Sequence, residues 1–331
     1  MGLNQEQLAG KMGVSQMTIS RVMNDREGVG SALRERIFSK AQAWGYVHDK
    51  IAMGLRGNSI RIIGLIIPDV NNSFFPQITT AIERRASEEG YQIFLAHSHE
   101  SYNQESRIIN LLRGFRVDGF IIAPSGTENQ TGNYSKLQKL KIPFVFIDRY
   151  KKKIKASAVV TDIENGSLQL GRYLIHKGYQ KWGYLEGPQG ISSSREHKRG
   201  LLKSLRGMTS KRHQLVSITA GFGEEDGFRA VQELLKEFDP DVIIGVNDPV
   251  AIGAYRYLKQ KRIRVPQDIA LAGFSDLKAT DLLEVPLTTV RETAAEIGKM
   301  AFDLLMRRIR KQGAGYQTVR LEPELIIRSS A

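Results

Sequence analysis

The stretch Gly13-Val14-Ser15-Gln16-Met17-Thr18-Ile19-Ser20-Arg21-Val22-Met23-Asn24 decides how the first part of the chain folds. Gly13 supplies a backbone position free to take positive φ, as a helix end or a sharp turn requires. Ser15 is a good N-cap for a helix running from about Gln16 to Met23. Ile19, Val22 and Met23 fall at i, i+3 and i+4 and share one apolar face, which leaves Gln16, Met17, Ser20 and Arg21 pointing elsewhere. Upstream, Asn4 can cap a helix from about Gln5 to Met12, with Leu8, Ala9 and Met12 inward. Two short helices joined by a glycine-containing turn make a helix-turn-helix, and a plain helical hairpin is the competing reading. Downstream, Ser31 is expected to cap a third helix to about Trp44, with Leu33, Ile37, Ala41 and Trp44 packing on the first two and Gly45 ending it. Such a small three-helix core suits a compact DNA-binding module.

The 331 residues exceed one ordinary domain, and two or three compact units are the natural expectation. No run of roughly 18 apolar residues is present, so no membrane-spanning segment is expected. The N-terminal residues are polar rather than basic-then-apolar, which argues against a secretory signal and for a cytoplasmic protein. With no cysteine, disulfides and thiolate metal sites are excluded. A net charge of +13 favours polyanionic partners without specifying one.

Asp49 to Arg56 carries a helix-like apolar pattern at Ile51, Ala52 and Leu55 but is too short to hold a helix alone. It reads either as a conditional helix between domains or as an ordinary linker. Taken with the opening stretch, with Leu33-Arg34-Glu35-Arg36-Ile37, with Trp44-Gly45-Tyr46 and with Ala52-x-x-Leu55-Arg56, it closely resembles the lactose-repressor (LacI/GalR) family of bacterial regulators. The resemblance implies a homodimer whose second helices enter adjacent major grooves of a palindromic double-stranded operator. It also implies a hinge that becomes helical on DNA and wedges its leucine into the minor groove. By match, Gln16 and Met17 occupy the variable sequence-choosing positions, Arg21 a third base-reading position, and Thr18, Ser20 and Asn24 backbone-contacting positions. Leu55 matches the wedge and Ala52 its close-packing neighbour. With the caps Asn4 and Ser15, these form the expected DNA-binding set. The chemistry agrees: Arg pairs with guanine and Gln with adenine through two hydrogen bonds each, whereas Met offers only apolar contact. Met53, where the family often has Arg, and Gly54 weaken the hinge further, so its folding is expected to depend strongly on DNA.

From Ile60 the texture changes to apolar runs alternating with helical stretches. The first series runs through strands at Ile62–Ile67, Tyr91–Ala96, Gly119–Ala123 and Pro143–Ile147; the second begins near Ala158–Thr161 and continues through Trp182–Glu186, Gln214–Thr219, Val242–Val246 and Ile269–Phe274. This alternation means doubly wound parallel sheets in two similar subdomains. A late helix at Thr293–Arg310 and strands near Thr318–Leu321 and Leu325–Ile327 are expected to return and complete them. The overall expectation is an all-α head (1–48), a hinge (49–59) and an α/β sensor (60–331). The resemblance makes that sensor periplasmic-binding-protein-like, type I, with an N-subdomain of about 60–160 and 292–323 and a C-subdomain of about 161–291 and 324–331.

Ligands in open α/β sheets bind beyond the carboxyl ends of strands. Polar and acidic residues recur there: Asp69, Ser125, Asp148-Arg149, Asn247-Asp248 and Ser275-Asp276, joined by aromatics at Phe74 and Phe75. Acceptors for hydroxyls beside a ring face are what a small polyol needs. Any one of them can instead be a helix cap. Ile67-Pro68-Asp69-x-x-Asn72-x-Phe74-Phe75, Asp148-Arg149, Gly273-Phe274-x-Asp276 and Pro286-Leu287-Thr288-Thr289-Val290 are strong marks of the same family. The resemblance adds Phe222, Ser193, Arg195 and His197 to the expected effector-binding set. The family usually has Arg at position 197 to grip the ligand, so either Arg195 or His197 takes that role, on a sugar or a sugar-derived acid. No cofactor other than such an effector is expected.

His97-Ser98-His99 lacks a third ligand of suitable spacing, so no metal site is expected. The Lys151–Lys153 run with Lys155 reads as a solvated loop. There is no phosphate-binding glycine motif and no nucleophile–base constellation, so an enzyme has no support. A solute receptor without DNA binding is the alternative to a regulator. No heptad tail precedes Ala331, so a tail-mediated tetramer is not expected.

Overall fold

The computed structural model describes residues 3–23, 27–46, 59–206, 213–312 and 315–331. They form two compact units, one up to Ile60 and one from Arg61 onward.

The first unit holds α1 (Gln5–Met12), α2 (Gln16–Met23) and α3 (Ser31–Ala43). Asn4 and Gln7 form a reciprocal capping box, the Asn4 side chain accepting from the Gln7 N–H at 2.8 Å and the Gln7 side chain accepting from the Asn4 N–H at 2.9 Å. Gly13 closes α1 in the left-handed region at φ 62°. The Ser15 hydroxyl accepts from the Thr18 N–H at 3.0 Å and so starts α2. Leu8, Ala9, Ile19, Val22, Ile37 and Ala41 are the buried centre, with Met12, Leu33 and Trp44 packed on it. The start of α3 differs from expectation: Gly30 takes the cap position without a side-chain bond, and Ser31 is the first helical residue. The proposed hinge helix, with Ala52 and Leu55, and also Asn24, lies outside the described residues.

The second unit begins with β1 (Ile62–Ile67), α4 (Phe74–Glu88), β2 (Gln92–His97), α5 (Tyr102–Gly114), β3 (Gly119–Ile122), α6 (Gly132–Lys139), β4 (Phe144–Ile147) and β5 (Ser157–Thr161). It continues through α7 (Ile163–His176), β6 (Lys181–Glu186), α8 (Ser192–Leu205), β7 (Gln214–Thr219), α9 (Glu224–Glu237), β8 (Val242–Gly245), α10 (Asp248–Gln260) and β9 (Ala270–Ala272). The last elements are α11 (Lys278–Asp281), β10 (Thr289–Arg291), α12 (Ala294–Ile309), β11 (Thr318–Leu321) and β12 (Glu324–Ile326). One parallel sheet has the order β11-β5-β4-β3-β1-β2 and the other β7-β6-β8-β9, while β10 and β12 pair antiparallel. Central strands are apolar at nearly every position because helices cover both faces; all four residues of β3, β4 and β8 are buried. The sequence pattern missed α11 and β10, each four residues or fewer and too short to show a period.

Two lobes result, and the chain passes between them three times: at Asp162 after β5, at Glu292 after β10 and between β11 and β12. Helix α12 returns to the first lobe and packs on α4. In the second lobe α9 and α10 approach so closely that only glycine fits at their contact. A Cβ on Gly253 would collide with the Glu224 carbonyl, and one on Gly227 with the Val250 carbonyl. Both obstacles are backbone, so the helices themselves would have to part. Gly253→Ala is therefore expected to cost about 2 kcal/mol or more, read as a lowered midpoint in chemical denaturation.

Candidate functional site

Between the lobes lies a cleft of about 540 Å³, built from the carboxyl ends of strands on both sides. The first lobe contributes Asp69 beyond β1, Phe74 and Phe75 at the start of α4, and Asp148 and Arg149 beyond β4. The second contributes Ser193 and His197 from α8, Phe222 beyond β7, Asn247 beyond β8, and Phe274 and Ser275 beyond β9. Glu292, on a segment that passes between lobes, also lines it.

Arg149 is the anchor of the first wall. Its two Nη atoms donate to both oxygens of Glu100 at 2.8 and 3.2 Å, and its Nε donates to Asp148 at 2.9 Å. Its guanidinium also lies 5.2 Å from the Phe222 ring of the other lobe. Burial opposes its charge, but Glu100 and Asp148 outweigh that and hold its pKa above the usual value. Burial raises the Asp148 carboxyl, with Arg149 pulling the other way. His197 is buried, its Nδ1 lying 3.0 Å from the Ser167 hydroxyl and its ring edge-on to Phe274 at 4.4 Å. Burial depresses its pKa to about 3, so it is a neutral imidazole at physiological pH. Asn247 lines the cleft, yet its amide is engaged: Oδ1 accepts from the Val250 N–H and Nδ2 donates to the Phe222 carbonyl, both at 2.9 Å.

Glu292 joins the lobes. It accepts from the Thr161 hydroxyl at 2.7 Å, at the end of β5, and from the Ser275 hydroxyl at 3.0 Å, beyond β9. Burial, with Asp148 adding its charge, pushes its pKa to about 8.

Four expected contacts do not line the cleft, and the polar atoms of each are bonded elsewhere. Ser125 is fully buried, its hydroxyl 2.6 Å from that of Ser98 and its N–H donating to Glu105. Arg195 turns to the first lobe, donating to Glu128 at 2.7 Å and to the Gly190 carbonyl at 3.1 Å. Asp248 is fully buried, accepting from the Thr289 hydroxyl at 2.6 Å and the Leu277 N–H at 2.8 Å. Asp276 is paired with Arg291 at 2.7 Å and Arg328 at 2.6 Å. The Lys151 loop is also corrected. Lys151 is buried, donating to the carbonyls of Ser125, Gly126 and Thr127 at 2.8–2.9 Å, and burial lowers its pKa to about 8. Those carbonyls turn inward after β3 and need a donor, which the lysine supplies; Lys152, Lys153 and Lys155 remain exposed. Sequence reasoning missed Glu292, Phe274 and Glu100 as cleft residues, and it noted Ser275 at a strand end but favoured its neighbour Asp276. Glu292 stands two residues beyond the quoted Pro286–Val290 motif, and Ser275 precedes the chosen Asp276, so proximity to the motifs was the available signal.

On the first unit, Gln16 and Arg21 are exposed and Met17 is 65% exposed, while Thr18 and Ser20 are half-buried. These exposed side chains lie opposite the buried Ile19 and Val22. Asn4 and Ser15 serve as caps. Among the described residues, no helix is long and apolar enough to cross a membrane, and no three potential ligands gather at a metal-sized site. The His97 and His99 rings pack edge-on at 4.3 Å.

A helix-turn-helix head joined to a two-lobed sensor defines a ligand-responsive DNA-binding regulator. The family model described as periplasmic binding proteins and sugar binding domain of LacI family matches residues 61–329. That described as bacterial regulatory proteins, lacI family, matches residues 6–49. The chain belongs to the LacI family of bacterial transcriptional regulators, which are not enzymes. The PurR repressor of Mannheimia succiniciproducens is 26% identical over 319 residues, 96% of this chain and 95% of that protein. The ribose operon repressor of Escherichia coli K12 is 27% identical over 321 residues, 96% of this chain and 97% of that protein. The lac repressor dimer bound to operator and the anti-inducer ONPF matches with a TM-score of 0.86 at 23% identity, covering 100% of this chain and 99% of that one.

The Glu292 carboxyl gives a pH signature. Its folded pKa of about 8 lies above the ordinary 4.5. Between those values the folded sensor holds a proton that the unfolded chain releases, so this group makes stability fall as pH rises through that window. Glu292→Gln removes the effect: its melting temperature should fall less than wild type between about pH 5 and pH 8. Parallel melting curves across that range would contradict the assignment.

Proposed function

We propose that this protein is a dimeric, cytoplasmic repressor of a sugar-utilisation operon, and that a small effector in the inter-lobe cleft sets its affinity for a palindromic operator. The observation that carries the reading is the cleft itself: carboxylates and hydroxyls at the ends of strands in two lobes, beside the rings of Phe74, Phe222 and Phe274. Hydroxyl acceptors next to aromatic faces suit a sugar. The related ribose operon repressor supports the same class of effector. A sugar acid loses its expected anchor, because Arg195 is committed to Glu128. The solute-receptor alternative leaves the exposed Gln16, Met17 and Arg21 without a role.

Closure of the lobes around the effector is the coupling step. Differential affinity for two lobe arrangements shifts the balance between them, and operator affinity changes by a coupling typical of about 1–3 kcal/mol.

Dimerisation has a ready surface on the first lobe. The edge strand β2 exposes Phe94 and Leu95, and α5 exposes Leu111, with Phe94 stacked on Phe115 at 6.2 Å. This apolar face is offered as the surface that a second copy of the chain covers. Leu111→Asp should give monomers in sedimentation at micromolar concentration and weaken operator binding, because two half-sites are no longer linked.

Selection of binding sites from a random DNA library tests the reading directly. The expected outcome is a palindrome bound by wild type and lost on Arg21→Ala, with about 1–3 kcal/mol of discrimination removed per half-site. A wild-type protein that enriches no sequence in any effector state rejects the regulator reading.

A further inference from the structure

The charges around the cleft are unbalanced. Asp69, Glu100, Asp148, Asp226 and Glu292 all line it, against one arginine, Arg149. Each of its three nitrogens already donates to Glu100 or Asp148, so its charge is paired with those two carboxylates. His197 is nine-tenths buried and faces the cleft with Nδ1 held by Ser167, while Nε2 has no partner among the described residues. The position is therefore built to hydrogen-bond a ligand, but as a neutral ring.

The carboxylates divide by how far they are already satisfied. Asp226 accepts from the Gly223 N–H at 3.1 Å and from Arg229 at 2.8 Å, while Asp69, less buried than Asp148, accepts on Oδ1 alone from the N–H and side chain of Asn71. Glu292 has only two neutral hydroxyl donors, and Asp148 has Arg149 on one oxygen alone. A ligand carboxylate or phosphate would enter a site lined by five acidic side chains whose one arginine among the described residues is already paired. A hydroxyl would find acceptors but would bring no charge to set against the carboxylates of this wall.

We propose that the effector carries a protonated amine, as an amino sugar does, with Glu292 and Asp148 as its counter-ions. The inference rests on the reading of the cleft as the effector site. Ammonium supplies three donors and a positive charge, and charge-assisted hydrogen bonds are roughly twice as strong as neutral ones. His197 Nε2 is left to bond a ring hydroxyl. The charges acting on Glu292 are Asp148 beyond β4 and Asp248 at the start of α10, with Arg149 beside Asp148.

Binding of such a cation has a proton signature. The free site keeps a proton on Glu292 up to about pH 8. Seating an ammonium favours the ionised form, so Glu292 gives its proton to solvent and no covalent bond changes. Affinity for the amine should rise with pH towards 8 until the amine itself deprotonates.

Calorimetry on the full chain tests this with glucosamine, galactosamine and mannosamine, each beside its parent sugar, and with glucuronate and galacturonate. Runs in two buffers of different ionisation enthalpy read the proton. The expected result is that at least one amino sugar binds with proton release, its parent binds at least about tenfold more weakly, and the uronates do not bind. Glu292→Gln should weaken the amine about 10- to 100-fold and the parent sugar by much less. A folded Glu292→Gln protein, checked by its melting curve, that binds the amine unchanged overturns the proposal. A parent sugar or uronate that binds as tightly as the amine also overturns it while leaving the sugar sensor standing. Silence of all three amino sugars at millimolar concentration overturns it too, and the operator selection above then decides separately whether the chain is a regulator.

Discussion

The sensor depends on how it holds charge at the buried carboxyl edge of its sheets. Arg149 carries that constraint. Its side chain is 6% exposed, grips Glu100 with two nitrogens and Asp148 with the third, and lays its face near Phe222 from the opposite lobe. Removing one partner of such a buried pair typically costs about 3–5 kcal/mol, because the other charge is left stranded. The geometry of the first wall follows from this one side chain: the loops after β2 and β4 meet on it, and the left-handed backbone at Asp148, φ 63°, is held beside it. It also explains why an arginine in the cleft is not a free grip for an anion.

Coupling between the lobes uses few connections. Three strands of chain pass between them, and Glu292 sits on one, bonded to Thr161 and Ser275. Outside the cleft, Arg195 pairs with Glu128, and Arg320 of β11 pairs with Glu196 of α8 at 3.2 Å. Arg195 thus belongs to the closure of the lobes, although its place in the sequence suggested the ligand. A small number of polar ties across a cleft is easily biased by a ligand that adds a few more. Helix α12 starts beside Glu292 and runs back along the first lobe against α4, so a shift at the cleft has a rigid element to act on.

Much of the fold was legible in the sequence because it rests on short-range chemistry. The apolar period, the caps at Asn4 and Ser15 and the turn at Gly13 specify the head locally. Buried parallel strands announce themselves as apolar runs, as Ile62–Ile67 does. The cleft was legible only in part. Its location followed from strand ends, and Asp69, Phe74, Phe75, Asp148, Arg149, Ser193, His197, Phe222 and Asn247 do line it. Which carboxylate faces inward is not a local property. Asp248 and Asp276 are drawn away by Thr289, Arg291 and Arg328, partners 15 to 52 residues distant in the chain. Ser275 and Glu292 face the cleft in their place, and no spacing rule marks that exchange. Lys151 shows the same limit: a lysine run reads as solvated until three inward carbonyls claim one of its members.

The central claim is that occupancy of the cleft and reading of DNA are one coupled equilibrium. Its most direct test is reciprocity: effector affinity measured by calorimetry with and without saturating operator, beside operator affinity measured with and without saturating effector. The account predicts the same factor in both directions, in the range of about 5- to 150-fold. An effector that binds the cleft equally well whether or not operator is present would contradict it.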